Sequence, residues 1–352
     1  MNFFKIHIYN YRVLLIAIII LHSTIFYSQD IHFSNWNMSP LNANPANAGN
    51  FDGDGRLIFN YRKQWKSVPV PYSTFSFGSD FNLKKPLLSV RAKSRTLTSN
   101  AVGLIFNHDA AGDGRYKINE VKVPFNTKIN IGNDSTLQLN FALMAGFTNI
   151  NIDANRLSYD KQWDGDIYNA SLNNGESFNS QSKTFADVGL GTMMAKKFTD
   201  KLKVNIGYSI NHLNKPNISF YNSAKVNLKP KHTELLQATY SLSNKAALLF
   251  EYYGGQQQKF KENMVGLSYY YTFNPKKKTI INAGALMRVN DAAITTIGLY
   301  IDNIKMQASY DYNFSQFKRA TNGRGGFEIS LIYIYAKPKI FVPKTRVCPV
   351  YM

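Results

Sequence analysis

Residues Thr136–Ile150 read TLQLNFALMAGFTNI, and their alternation decides the fold class. Leu137, Leu139, Phe141, Leu143, Ala145 and Phe147 fall on one face of an extended chain, and Thr136, Gln138, Asn140, Ala142, Met144, Gly146 and Thr148 on the other. Successive side chains of a strand point to opposite sides, so one face here suits hydrocarbon and the other accepts water. Working outward, the same period returns at 203–211 (KVNIGYSIN), with Val204, Ile206, Tyr208 and Ile210 set against Asn205, Gly207, Ser209 and Asn211. It returns again at 304–314 (IKMQASYDYNF), where Ile304, Met306, Ala308, Tyr310 and Tyr312 alternate with Lys305, Gln307, Ser309, Asp311 and Asn313.

A soluble β-sandwich also alternates, but its strands usually run to about five or six residues. Several segments here run to about ten, the length that crosses a bilayer at a tilt. The expectation is therefore an all-β fold, a transmembrane antiparallel up-and-down β-barrel of about fourteen strands, an even number as bacterial barrels require. Strand starts are expected near Leu57, Tyr72, Val102, Tyr116, Thr136, Phe185, Val204, Val226, Ala246, Met264, Thr279, Ala293, Ile304 and Phe327. Phe, Trp and Tyr make up 14% of the chain, which suits the aromatic girdles of such a barrel. Beyond the N-terminal stretch no run approaches 18 apolar residues, which excludes a helical membrane protein.

Met1–Ser28 has the anatomy of an export signal: Lys5 and Arg12, an apolar run Val13–Leu21, then small or polar residues before Gln29. Phe26 is a poor −3 residue for cleavage, so an uncleaved anchor stands as the alternative. The expected organisation is a signal at 1–28, an N-terminal entrance segment at 29–55, a barrel at 56–336 and a periplasmic tail at 337–352. Cys348 is the single cysteine, so no intrachain disulfide can form.

With both ends in the periplasm, even-to-odd connections should be short, and IGNDS, KKFTDKL, LSNK, NPKKK and IDN are. The stretches Asn151 to Ser182, NKPNISFYNSA and SQFKRATNGRG then become outside loops. Two connections break this pattern: Leu83 to Ser99 is long on the periplasmic side, and RVND is short outside.

The net charge of +19 is uneven. Periplasmic connections gather Lys84, Lys85, Arg91, Lys93, Arg95, Lys196, Lys197, Lys201, Lys203, Lys276, Lys277 and Lys278, with Lys337, Lys339, Lys344 and Arg346 in the tail. The longest outside loop carries Asp153, Asp160, Asp164, Asp166 and Glu176. A one-sign inner rim favours anionic lipid or an acidic periplasmic protein, and the plainer reading is that these side chains reach headgroups at strand ends. Export and the lack of any nucleic-acid module exclude nucleic acid as a partner.

No catalytic or cofactor motif emerges. Asp52-Gly-Asp54-Gly and Gly112-Asp113-Gly114 lack the ligand series of a calcium loop and read as turns. Asp160, Asp164 and Asp166 form the best metal guess, yet carboxylates in a solvated loop are ordinary. His32, His108, His212 and His232 show no i, i+4 pair and no adjacent cysteine, so no zinc site is expected. No spacing singles out a Ser, His and acid for hydrolysis, and no enzyme is expected.

Gln29–Tyr72 carries the most distinctive motifs: a QD start, N-P-x-x-A-G at Asn44, Pro45, Ala48 and Gly49, Y-R-x-Q-W at Tyr61, Arg62, Gln64 and Trp65, then Pro71-Tyr72. Near the other end stand G-x-x-E-I-S-L, from Gly325 through Glu328, Ile329, Ser330 and Leu331, and the pair Cys348-Pro349. Together these resemble the PorP/SprF family of the Bacteroidetes type IX secretion and gliding machinery. The departures are Asn35, Trp36 and Asn37, where an S-Q-Y-like stretch is common, and Asn47, where an aromatic often follows N-P-A. The resemblance implies a non-enzymatic outer-membrane barrel, in contact with lipid, that helps a secreted adhesin reach or stay on the surface or ties the membrane to periplasmic secretion machinery. A porin-like channel for small solutes is the alternative. Candidate partner-binding residues are Tyr61, Arg62, Gln64 and Trp65, which also read as an interfacial belt, and the basic set Lys276, Lys277, Lys278, Lys337 and Lys339.

Overall fold

The computed structural model describes residues 30–65, 71–83, 97–112, 115–131, 136–176, 181–221, 225–275, 278–316 and 318–337. The expected signal, Met1–Ser28, lies outside the described residues. Ile31 onward forms one compact unit, and Met1–Asp30, of which only Asp30 is described, forms another.

The strands are β1 (Gly55–Gln64), β2 (Tyr72–Asn82), β3 (Leu97–Ala111), β4 (Tyr116–Ile131), β5 (Leu137–Asn151), β6 (Ser182–Lys197), β7 (Leu202–Asn211), β8 (Lys231–Ser241), β9 (Ala246–Gln257), β10 (Phe260–Asn274), β11 (Thr279–Arg288), β12 (Ala292–Ile301), β13 (Ile304–Asn313) and β14 (Arg324–Tyr335). Each pairs antiparallel with its sequence neighbours, and β1 pairs with β14 from Gly55↔Tyr335 to Gln64↔Gly326, which closes a fourteen-stranded barrel. Closure removes every unpaired edge, the condition for carrying backbone polar groups through hydrocarbon. No helix among the described residues is long and apolar enough to cross a membrane.

The alternation fixes the faces as the residues require. On β5, Phe141 is 50% exposed and Phe147 65%, both pointing outward, while Asn140 is fully buried inside. On β13, Tyr310 and Tyr312 face out, and Gln307, Ser309, Asp311 and Asn313 are buried in the lumen. Tyr310 and Tyr312 lie near one rim, Tyr333 and Tyr335 of β14 near the other, each exposed, as interfacial aromatics should be.

Residues 152–181, 212–230 and 314–323 connect strands at one end, and 198–201, 242–245 and 302–303 at the other. Long loops mark the outside of such barrels, so the first is the outer end and the second the inner. Four connections run against the trend: 83–96 is long at the inner end, and 112–115, 258–259 and 289–291 are short at the outer. An epitope tag at Asn173 is expected to stain intact cells, and one at Asn244 only permeabilised cells; the reverse staining would invert this orientation. The folded barrel should also migrate faster on gels before boiling than after.

Five strands begin at the residue read from sequence: Tyr72, Tyr116, Ala246, Thr279 and Ile304. The eighth does not. Val226 belongs to a short pairing within the outer loop, where its carbonyl accepts from the Ile218 amide at 2.8 Å and Asn217 bridges Asn227. Pro230 has no N–H to give a ladder, and β8 starts just after it, at Lys231.

The lumen is filled from within the same chain. Residues 31–50 run through it as three short turns, Trp36–Met38, Pro40–Ala43 and Pro45–Asn47. Their apolar side chains meet inward-facing apolar residues of the wall in three clusters. Trp36 and Ala43 pack with Leu235, Tyr253, Met264, Leu286 and Ile294; Met38, Leu41 and Ala48 pack with Ile58, Ile105, Met144 and Ile332; Ala46 packs with Ala142 and Met193. The hydrophobic core therefore lies between plug and wall, inside the barrel.

Candidate functional site in the barrel lumen

The plug runs from the outer half of the lumen to the inner mouth. Its first turn is held at the outer end by a buried charge cluster. Arg62 and Arg288 share Asp311, at 3.1 and 3.0 Å, and Arg288 also meets Glu262 and Asp291, each at 3.0 Å. Ser34 sits in the middle of them: its hydroxyl donates to Asp311 at 2.6 Å and accepts from Arg288 at 2.6 Å, and its amide donates to Glu328 at 3.0 Å. The Asn35 amide also reaches Glu328, and Arg62 donates to the His32 carbonyl at 2.7 Å. One hydroxyl and two amides of the plug thus bind three strands directly, β11, β13 and β14, the His32 carbonyl binds a fourth, β1, and Glu262 of β10 joins the cluster through Arg288.

The family-like motif N-P-x-x-A-G works at the inner end. Asn44 caps its own turn by accepting from the Ala46 amide at 2.8 Å and donates to the Thr192 carbonyl of β6 at 3.1 Å. A side chain on Gly191 would intrude here, its Cβ 2.3 Å from Asn44 Oδ1 and 2.8 Å from Pro45 Cγ. Gly49 has φ +71°, a backbone state that glycine adopts without strain, and its amide donates to Asp80 at 2.6 Å. Asp80 also receives a two-point ion pair from Arg56, at 2.9 and 2.8 Å, and Arg56 donates on to the Asn47 carbonyl. Asn126 donates to the carbonyls of Ala46 and Ala48, and Lys128 to that of Gly49. Between the two ends, Asn37 donates to Glu251, Asn42 to Ser76, Asn107 to Asn42, and Asn60 to the Met38 carbonyl.

A separate buried network in the wall joins Lys122 to Glu120 and Asp187, with His212 on Asp187 at 2.8 Å. Among the described residues no group of three or more His, Cys, Asp or Glu is placed to hold a metal. In the outer loop, Asp164 Oδ1 accepts from the Asp166 and Ile167 amides, each at 3.0 Å, and these backbone bonds hold its carboxyl below the usual range.

The sequence-predicted residues divide between the two ends. Tyr61, Arg62, Gln64 and Trp65 lie at the outer end of β1 but on alternating faces: Tyr61 points outward and is exposed, whereas Arg62 is 1% exposed and engaged by the plug. Trp65 has φ 54°, donates its amide to the Gly325 carbonyl and sets its ring edge-on to Tyr72 at 4.8 Å. Lys278 lies in the β10–β11 turn and exposed Lys337 follows β14, both at the inner end, with the Lys337 amide on Asp54 at 2.7 Å. Lys276, Lys277 and Lys339 lie outside the described residues.

Sequence reasoning missed the plug and its wall partners, above all Ser34, Asp80, Gly191, Asp311 and Glu328. A signal was present: Arg62, Asp80, Glu251, Arg288, Asp311 and Glu328 all lie on the polar face of spanning strands, and charge at membrane depth requires a named partner.

Residues 25–333 match the family described as type IX secretion system membrane protein PorP/SprF, a span that takes in plug and barrel alike. No curated protein matches the chain in sequence. Among solved structures, the toluene transporter TbuX of Ralstonia pickettii aligns over 84% of this chain and 93% of its own, at 10% identity and a TM-score of 0.50. A Pseudomonas aeruginosa FadL homologue aligns over 83% and 93%, at 10% identity and a TM-score of 0.46. At such identity the likeness to TbuX concerns the fold alone, an outer-membrane β-barrel. With the matched span covering the motifs that build the plug as well as the strands that enclose it, the chain belongs to the PorP/SprF family of type IX secretion system membrane proteins.

Proposed function

We propose that this barrel acts in type IX secretion as a closed, non-enzymatic platform in the outer membrane. It helps a secreted client such as a gliding adhesin reach or stay on the surface, or ties the membrane to periplasmic machinery. The observation that carries this reading is the plug. A porin needs a continuous aqueous path, whereas here residues 31–50 bond to wall residues of β1, β2, β3, β4, β6, β9, β11, β13 and β14. Such a lumen favours holding over conduction.

The partner surfaces in this reading are the two rims. Tyr61 and Trp65 stand at the outer rim for a client, and Lys278 and Lys337 at the inner rim, with Lys276, Lys277 and Lys339 next to them in sequence, for an acidic periplasmic partner. Arg62 acts from inside, by fixing the plug.

Reconstituted protein is expected to pass no sustained current in planar bilayers, and cells lacking it to synthesise the client yet fail to display it. Charge reversal at these five lysines should weaken capture of the periplasmic partner, most at low salt and less at higher salt, because exposed pairs are screened beyond about 8 Å at physiological ionic strength. Steady porin-like conductance together with normal client display would overturn the proposal.

A further inference from the structure

Between the inner half of the plug and the wall lies a cavity of about 710 Å³. It reaches the β8–β9 turn at Ser243, Asn244 and Lys245, so its mouth is at the inner end, and Asn37, Met38 and Pro40 of the plug close it toward the outside. Its volume falls in the range of about 300–1,000 Å³ typical of ligand sites.

The lining is cationic. Lys203, Lys245 and Lys305 border the cavity, and among the described residues no carboxylate pairs with them. Arg56 is there too but is taken by Asp80, and Asp52 is the one acid of the lining. Lys305 holds its ammonium 5.4 Å from the centre of the Tyr300 ring. The rest of the surface is rich in side-chain amides and hydroxyls, such as Asn205, Gln237 and Thr239.

We propose that this vestibule is a docking site for an anionic, extended peptide segment presented from the periplasmic side. Charge of one sign inside a low-dielectric cleft focuses the field on its mouth and raises the local concentration of acidic groups. Primary amides offer a donor and an acceptor on one side chain, which suits the alternating N–H and C=O of an extended main chain. A lipid fits less well, because the strand wall separates the cavity from the hydrocarbon and an acyl chain would have to enter through the polar mouth. The site does not include the five lysines assigned above to the periplasmic partner, and the inference deepens the partner-holding reading, on which it rests for what docks.

The test uses the purified full chain in detergent and a fluorescein-labelled hexapeptide of alternating Glu and Gly, followed by fluorescence anisotropy. Binding does not depend on secretion or display, so its failure is separable from failure of the platform reading. The acidic peptide should bind, its Gln/Gly counterpart should bind about tenfold more weakly or not at all, and the Lys203→Gln/Lys245→Gln/Lys305→Gln variant should lose about tenfold in affinity. Heat-modifiable migration checks that this variant folds. Asn205→Trp, which fills the cavity and leaves every charge in place, should abolish binding and serves where the triple variant does not fold. Equal binding of the neutral peptide, unchanged binding by the folded variants, or full displacement by inorganic phosphate or by anionic lipid vesicles would each overturn the assignment.

Discussion

Replacing Asp311 by alanine is expected to loosen the outer end of the plug and turn a silent barrel into a conducting one. Asp311 is the shared partner of Arg62 and Arg288, whose side chains are almost wholly buried, and of the Ser34 hydroxyl. Removing one member of a buried ion pair leaves the other uncompensated, at a cost of about 3–5 kcal/mol. Glu262 and Glu328 remain nearby and offset part of that cost. The balance is relieved if water enters from the outer end to solvate the two guanidiniums, which requires the turn around Ser34 to move away. The measurement is single-channel current in planar bilayers, with the unboiled gel mobility as a check on the barrel. Asp311→Asn, which keeps an acceptor for Ser34 but loses the charge, should fall between the two. A silent Asp311→Ala barrel with unchanged thermal stability would remove the cluster from its role as a latch.

The second large effect is expected at the inner end, from Gly191→Leu. The new side chain would start 2.3 Å from Asn44 Oδ1 and 3.1 Å from the Ala46 amide nitrogen, so the N-P-A turn must shift or leave. Overpacking a well-filled site costs about 1–3 kcal/mol, and here the Asn44 bond to Thr192 and the contact of Ala46 with Ala142 and Met193 would be lost with it. Gly78→Ala is the matched control, because its Cβ would meet the flexible end of Leu41 at 3.3 Å. In a Cys348→Ser background, a cysteine placed at Ala46 should stay unreactive to a membrane-impermeant maleimide in the Gly78→Ala protein and become reactive in the Gly191→Leu protein. Equal reactivity in both would mean that the plug does not depend on this close approach.

The barrel was legible because its outward residues must satisfy hydrocarbon and therefore keep a strict period of two. Phe141, Leu143 and Phe147 are exposed as that reading requires, and the length of the alternating segments separates a bilayer crossing from a sandwich strand. Boundaries were less legible where the chain leaves the bilayer. The third strand begins at Leu97, earlier than Val102, since pairing can continue beyond the apolar band without an alternating signal. The plug was not legible as a plug. Its three turns are too short for any period, and its partners lie far away in sequence, such as Ser34 with Glu328 and Asn44 with Thr192. The motif around Asn44 marked the segment as an entrance, whereas it extends from the inner mouth through to His32 beside Arg62 in the outer half. Of the residues chosen for partner binding, Arg62 illustrates the difficulty: a fork donor beside aromatics reads as a contact for another protein, and only the fold turns it inward.

The plug directly precedes β1, and β1 is the strand that seals the cylinder against β14. This order of elements constrains how the molecule is made. Bringing Asn60 to Ser330 across the seam closes a loop of |i−j| 270, and bringing Ser34 to Glu328 closes one of 294. Loop-closure entropy grows only with the logarithm of length, so whichever contact forms first has covered nearly the whole cost of the other. A segment that must end up inside a sealed cylinder is most readily placed there before the last seam zips. The chain thus winds its wall around its own leading residues as around a mandrel, and faults in residues 31–50 are expected to slow seam closure during biogenesis, trapping an open sheet, before they disturb the finished barrel.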